Sequence, residues 1–133
     1  MNVRYSFVAQ RAGHRCEYCQ APESIFNFPF EVEHIIPIGR HSGEEDSKLA
    51  LACRSCNLFK ADHLTAFDKI TGAEVRLFDP RNDTWEEHFQ FDRTKGEIHG
   101  LTPVGRATAA CLQMNSILQL AARRQWLQLG LFP

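Results

Sequence analysis

The sequence reads Cys16-Glu17-Tyr18-Cys19 near its start and, after 33 intervening residues, Cys53-Arg54-Ser55-Cys56-Asn57-Leu58-Phe59-Lys60. The two Cys-x-x-Cys pairs offer four soft thiolates, which is the donor set of a closed, tetrahedral structural zinc site. Such a site leaves no coordination position open to a substrate, so it holds the fold and carries no reaction. The spacing therefore predicts one zinc ion bound by Cys16, Cys19, Cys53 and Cys56.

Paired cysteines have two other interpretations. Disulfides would suit an exported chain, but the N-terminus lacks the apolar core of a signal peptide, so we expect a cytoplasmic location, where Cys-x-x-Cys pairs more often hold zinc. A single pair could also be a redox dithiol, and a redox protein stays open as an alternative function. The fifth cysteine lies in the apolar stretch Ala109-Ala110-Cys111-Leu112 and is expected to be a small buried residue.

The length and the charge of the chain limit its possible functions. A chain of 133 residues with 44% hydrophobic residues suits one compact domain. No apolar run approaches the ~20 residues that a membrane helix needs. The net charge is −1 and its distribution is even, so nucleic-acid binding by bulk electrostatics should be weak. Phosphate contacts would have to come from locally placed basic residues such as Arg4, Arg11, Arg15, Arg40, Lys48, Arg54 and Lys60.

The pattern of apolar and turn residues predicts an α+β chain. A short helix should precede Gly13, and an alternating strand should end at Pro37. A polar turn, a second strand-like segment and a helix should follow, which makes a zinc-stapled ββα unit. The predicted ranges are 3–12 for the first helix, 30–35 for the strand, 39–46 for the turn, 49–52 for the second strand and 56–61 for the second helix.

Residues 64–133 are predicted to form an appended α+β region that packs as part of the same globular unit as the core, residues 1–63. A strand is expected at 73–78, and a hairpin of 89–92 with 97–99. Thr102 followed by Pro103 predicts the start of a helix that runs to about residue 114, and Ser116 predicts the start of a last helix that runs to 129. The aromatic residues of this region are expected in the core.

The segment Glu33-His34-Ile35-Ile36-Pro37, together with Asn57, supplies the parts of a catalytic site. A neutral histidine can take a proton from water near pH 7, which makes His34 the candidate general base. Oxygen ligands suit Mg²⁺ or Mn²⁺, which makes Glu33 and Asn57 candidate ligands. Adjacent strand residues point to opposite faces, so Glu33 and His34 can serve one site only if the metal lies at the end or edge of the strand.

In this order, the two cysteine pairs, Glu33-His34-x-x-Pro37 and Asn57-x-x-Lys60 resemble the HNH endonuclease family over roughly residues 11–62. The resemblance implies a ββα-metal fold with structural zinc, and Mg²⁺- or Mn²⁺-dependent hydrolysis of phosphodiester bonds in nucleic acid, with DNA favoured. It implies that His34 activates water while Glu33 and Asn57 hold the divalent ion. Lys48, Arg54 and Lys60 are the candidates for contacts with the substrate phosphate.

Two positions depart from the family pattern. Glu33 stands where the family usually has aspartate, which keeps the charge and lengthens the reach. Lys48 falls at the position of the family's middle asparagine, which helps to hold the loop that orients the histidine. An ammonium only donates hydrogen bonds, so Lys48 either contacts phosphate or leaves His34 poorly oriented. The alternative function is therefore a catalytically inactive, zinc-stapled nucleic-acid-binding module, which Lys48 and the near-neutral charge favour.

Overall fold

The computed structural model describes residues 2–36 and 46–133. The strand end predicted at Pro37, the start of the polar turn at Gly39, and the phosphate contact predicted for Arg40 lie outside these residues. The chain has mixed α and β structure, as predicted. In order, its elements are α1 (Tyr5–Arg11), β1 (Glu31–His34), β2 (Leu49–Ala52), α2 (Arg54–Lys60), β3 (Thr65–Phe67), β4 (Glu74–Arg76), α3 (Trp85–His88), β5 (Phe89–Phe91), β6 (Ile98–Gly100), α4 (Pro103–Cys111) and α5 (Ile117–Gln128).

The hairpin of β1 and β2 is the centre of the first half of the chain. The two strands pair antiparallel, with Glu31 opposite Ala52 and His34 opposite Leu49. All four residues of β2 are buried, since α1 and α2 both pack against the hairpin. The helix α2 begins two residues earlier than predicted because Cys53 serves as its N-cap, with its sulfur accepting a hydrogen bond from the backbone N–H of Cys56. The sequence signal for a cap is a hydroxyl or carboxylate side chain, so a capping cysteine gives no warning.

The second half of the chain contains two more antiparallel hairpins and the two closing helices. The β5–β6 hairpin and the two helices lie where the sequence predicts them. The side-chain oxygen of Thr102 accepts from the N–H of Gly105, and that of Ser116 accepts from the N–H of Gln119. The strand β3 and the helix α3 were not predicted. Elements of three and four residues are too short to show a hydrophobic period.

The two halves share direct contacts at the first Cys-x-x-Cys pair. The indole N–H of Trp85 donates to the carbonyl oxygen of Tyr18 at 2.7 Å, and the guanidinium of Arg81 pairs with the carboxylate of Glu17. The division of the chain at residue 63 stays a prediction. Within the described parts of the chain, no helix combines the length and apolar character that crossing a bilayer would need.

Candidate metal centre and nucleic-acid site

The four cysteines of the two pairs converge on one point. Their sulfur atoms all lie within 4.8 Å of one another and the four residues are buried. The sulfurs of Cys19 and Cys53 are 3.8 Å apart. A tetrahedron with Zn–S bonds of about 2.3 Å has an edge of about 3.8 Å, so the cluster fits a zinc ion without rearrangement. The clustering predicted from the spacing is confirmed, and Cys111, half-buried, lies outside the cluster.

Backbone N–H groups and a buried cation surround these sulfurs with positive charge. Cys16 accepts from the N–H of Cys19 at 3.5 Å, and Cys53 accepts from the N–H of Cys56 at 3.4 Å. Burial raises the pKa of the Cys16 thiol, but hydrogen bonds from the other three thiols and the backbone outweigh it and lower that pKa well below its usual range. Hydrogen bonds from the neighbouring sulfurs act in the opposite direction on the second pair and raise the pKa of Cys53 and Cys56 above its usual range. The thiolate form, which binds metal, is therefore favoured at Cys16.

The buried cation is Arg123 of α5, which the sequence analysis did not single out. It is fully buried, and its guanidinium donates to the carbonyl oxygens of Gly96 and Met114, both at 2.7 Å. Burial lowers the pKa of Arg123, and the negative charge of the four cysteines opposes that shift. A zinc ion with four thiolates carries a net charge of about −2. The negative charge of such a site would favour the charged form of Arg123.

Glu33 lies inside the protein, on the side of β1 that α2 covers. One carboxylate oxygen is 2.6 Å from the ammonium of Lys60, and the other accepts a hydrogen bond of 2.8 Å from the hydroxyl of Tyr18. The side chains of Glu33 and Lys60 are 3% and 2% exposed. Burial raises the pKa of Glu33, although Lys60 and Tyr18 oppose the shift. As arranged, Glu33 presents neither oxygen to a hydrated divalent ion.

Tyr18 is a second residue that the sequence analysis did not single out. It lies between two zinc ligands, is completely buried, and reaches from the first Cys-x-x-Cys pair to Glu33. Burial, with the neighbouring Glu33, raises the pKa of its hydroxyl well above the usual value, so the group stays a donor. The segment that carries Cys16 and Cys19 thus contacts the carboxylate through Tyr18.

Asn57 contacts Glu31 rather than Glu33. Its amide N–H donates to one oxygen of the Glu31 carboxylate, and Arg54 is 3.2 Å from the other. Arg54, Asn57 and Lys60 recur every three residues along α2, so this face of the helix lies over Glu31 and Glu33, which share one face of β1. Arg54 is 70% exposed and accessible to a phosphate. Lys60 is not accessible, so the phosphate contact predicted for it would require the ammonium to leave Glu33.

His34 closes β1 and is half-buried. By strand alternation its side chain belongs to the face opposite Glu33, while its carbonyl oxygen lies 3.4 Å from the Lys60 ammonium. The roles predicted for Glu33, His34 and Asn57 in catalysis stay predictions.

A basic cleft of about 680 Å³ borders the end of β1. Its lining includes Lys48, half-buried on a short 3₁₀ turn, Arg11, which the sequence named among the possible phosphate contacts, and Arg81, which it did not. Burial and the nearby charge of Arg11 lower the pKa of Arg81 to about 10, so both guanidinium groups stay charged at neutral pH. Asp79 also lines the cleft, and Arg81 is paired with Glu17, so the three cations exceed the nearby carboxylates by about one charge. The cleft is therefore modestly basic, beside the strand that carries Glu33 and His34.

These features define a zinc-stapled α+β segment with a polar strand end under a basic cleft. The model of the HNH endonuclease family matches residues 16–63, from the first zinc cysteine to just beyond α2. This match confirms the resemblance predicted from the sequence, for a little more than a third of the chain. It indicates a nuclease or nucleic-acid-binding function for the matched segment. A search of curated proteins found no match, and neither did a search of solved structures.

Proposed function

We propose that residues 1–63 form an HNH nuclease core that hydrolyses phosphodiester bonds in nucleic acid, with DNA as the favoured substrate. The arrangement of α2 over the Glu31 and Glu33 face of β1, held by the four-cysteine cluster at Cys53 and Cys56, supports this proposal. It brings the candidate ligands Glu33 and Asn57 to one side of the strand that ends in His34. Zinc serves the fold only.

The side chains of this core have separate roles in the proposed reaction. His34 accepts the proton of the attacking water as general base, and the oxygen then attacks phosphorus as the bond to the leaving oxygen breaks. Arg54 and Lys48 contact the phosphate. Glu33 and Asn57 hold Mg²⁺ or Mn²⁺, which when bound supplies positive charge near the phosphate. Because Glu33 is engaged by Lys60 and Tyr18, this role requires a local change around the carboxylate.

The second candidate is a nucleic-acid-binding module that no longer cuts. The buried pair of Glu33 and Lys60 favours it, since a carboxylate neutralised by an ammonium at 2.6 Å is a poor ligand for a divalent ion. The basic cleft would still bind phosphates in such a protein. A cytoplasmic location is part of both proposals.

Cleavage of plasmid DNA separates the two candidates. The wild type with added Mg²⁺ or Mn²⁺, the same protein without an added divalent ion, and His34→Ala are compared at equal zinc content. Loss of a general base should lower the cleavage rate about 10²–10⁴-fold and leave thermal unfolding unchanged. His99→Ala, a change at an exposed histidine of β6, is the matched control and should cut normally. A wild type that binds DNA and never cuts with either metal would leave only the binding module.

A further inference from the structure

Lys60 holds an oxygen cage that resembles a cation site. Its ammonium contacts a carboxylate oxygen of Glu33 at 2.6 Å and the carbonyl oxygen of Ile35 at 2.9 Å, and lies 3.4 Å from that of His34. A carboxylate and backbone carbonyls are also donors that hard divalent ions take from proteins. We propose that Lys60 is a tethered cation that excludes the divalent ion from Glu33, so that metal binds there only when the ammonium swings away.

The two cations compete for the carboxylate. A divalent ion binds a carboxylate oxygen at about 2.1 Å, so an ion on the oxygen that Lys60 already contacts would lie within about 5 Å of the ammonium. The other oxygen is occupied by Tyr18, which is completely buried and anchored between Cys16 and Cys19. Of the two partners of Glu33, Lys60 is the one able to move, because it is the last residue of α2 and has a flexible four-carbon stem.

The structure provides a place for the displaced ammonium. Lys60 lines a small cavity of about 200 Å³ to which Arg76, whose guanidinium is paired with Asp83, also contributes. The wall further includes Ile35, Ile36 and the carboxylate-bearing Asp79. The same three residues line the basic cleft beside Lys48. An ammonium that leaves Glu33 on this side would approach the cleft, where a bound phosphate can accept its hydrogen bonds. The carboxylate of Asp79 is already engaged by the backbone N–H of Arg81 and the side-chain amide of Asn82.

This exchange couples the two halves of the proposed site. A phosphate in the cleft draws Lys60 away from Glu33, and the exposed carboxylate then takes up the divalent ion. The phosphate contact predicted for Lys60 belongs to this second state. The inference rests on the proposed function, because it concerns the divalent-ion site of the nuclease core.

Binding of Mn²⁺, followed by the loss of the free-ion signal in electron paramagnetic resonance, tests the exchange without any cleavage assay. Four zinc-loaded proteins are compared: the wild type, Lys60→Met, Glu33→Gln and the double variant. We expect Lys60→Met to bind Mn²⁺ at least about tenfold more tightly than the wild type. Glu33→Gln should change the Mn²⁺ affinity little when Lys60 is present. In the Lys60→Met background it should abolish the gain in Mn²⁺ affinity. Equal affinity in the wild type and Lys60→Met, or a gain that survives in the double variant, would overturn the proposal.

Lys60→Met leaves a buried carboxylate without its cation and is therefore expected to lower the unfolding temperature. The double variant, which has a neutral amide at position 33, should recover most of that loss. Added Mn²⁺ should raise the unfolding temperature of Lys60→Met by more than that of the wild type. If Lys60→Met fails to fold even with Mn²⁺ while the double variant folds, Mn²⁺ does not take the place of the ammonium and the proposal is refuted.

The outcomes for the exchange and for the nuclease are distinguishable. Tighter Mn²⁺ binding by Lys60→Met, in a protein that never cuts, supports the exchange and removes the nuclease. Cleavage that depends on Glu33, with Mn²⁺ affinity unaffected by Lys60→Met, supports the nuclease and removes the exchange.

Discussion

Replacing Arg123 by methionine should weaken both the fold and the zinc centre. The wild-type guanidinium donates two hydrogen bonds of 2.7 Å to the carbonyl oxygens of Gly96 and Met114, in a completely buried position. Hydrogen bonds from a charged donor contribute about 1.5–3 kcal/mol each, so the loss of both should cost about 3–6 kcal/mol of unfolding free energy. Arg123→Lys keeps the charge, but its single ammonium cannot reach both carbonyls in the same way. Its unfolding free energy should therefore lie between those of the wild type and Arg123→Met.

The zinc centre gives this prediction its specificity. If Arg123 compensates the charge of the four thiolates, then its loss should also lower zinc affinity. A coupling of about 1–3 kcal/mol corresponds to a loss of about 5–150-fold. Chelator competition measures the affinity, and denaturant unfolding measures the stability. Arg124→Met is the control, since Arg124 is the exposed neighbour that donates to the carbonyl of Lys95. A zinc affinity equal to that of the wild type in Arg123→Met would refute the electrostatic role.

Three further changes test other parts of the structure. The purified protein should hold about one zinc ion per chain. Strong chelation should unfold its first half, because structural zinc contributes on the order of 10 kcal/mol to the folding free energy. Cys111→Ser should leave the zinc content unchanged, and a lower content would show that a ligand has been misassigned. Lys48→Asn should raise the cleavage rate if Lys48 leaves His34 poorly oriented. If Lys48 instead contacts phosphate, the change should weaken DNA binding and lower the salt dependence of that binding by about one unit of slope. Arg106 donates hydrogen bonds to Asp68 that hold the pKa of this carboxyl well below its usual range. The pair therefore stabilises the fold at pH values above the ordinary aspartate pKa of about 4, and this contribution is lost as the pH falls. Asp68→Asn should accordingly destabilise the protein at pH 7 and progressively less in acid.

The zinc ligands and the closing helices could be predicted because their signals are local. Four cysteines at fixed spacing indicate a metal by their number and type, and Thr102 before Pro103 marks a helix start by the chemistry of the cap and the ring. The β5–β6 hairpin follows the same logic, since Asp92 accepts the N–H groups of Thr94 and Lys95 in its turn. Each of these features depends on residues that are close in sequence, or on side chains with one dominant use.

The partners of the candidate site could be predicted only in part. A period of two places Glu31 and Glu33 on one face of β1, and a helical turn places Asn57 and Lys60 on one face of α2. Which carboxylate meets which partner depends on how far the helix slides along the strand. Tertiary packing sets the position of the helix along the strand, and the spacing of residues within each element does not predict it. The burial of Arg123 could not be predicted for the same reason. The residue is about seventy positions from the nearest cysteine of the cluster, and nothing near it in the sequence indicates burial.

The dipeptide between the first two zinc cysteines has a consequence for protein engineering. Glu17 accepts the backbone N–H of Leu51 in β2 and pairs with Arg81, while Tyr18 joins Glu33 to Trp85. Both residues thus have partners in the matched segment and in the C-terminal half, where the ring of Tyr18 also packs against Phe78. A graft of residues 16–63 onto another carrier protein would cut the bonds to Arg81 and Trp85 and leave the carbonyl of Tyr18 without its donor. The segment is therefore a poor portable cassette, and a successful transplant would have to bring the stretch from Arg81 to Trp85 with it.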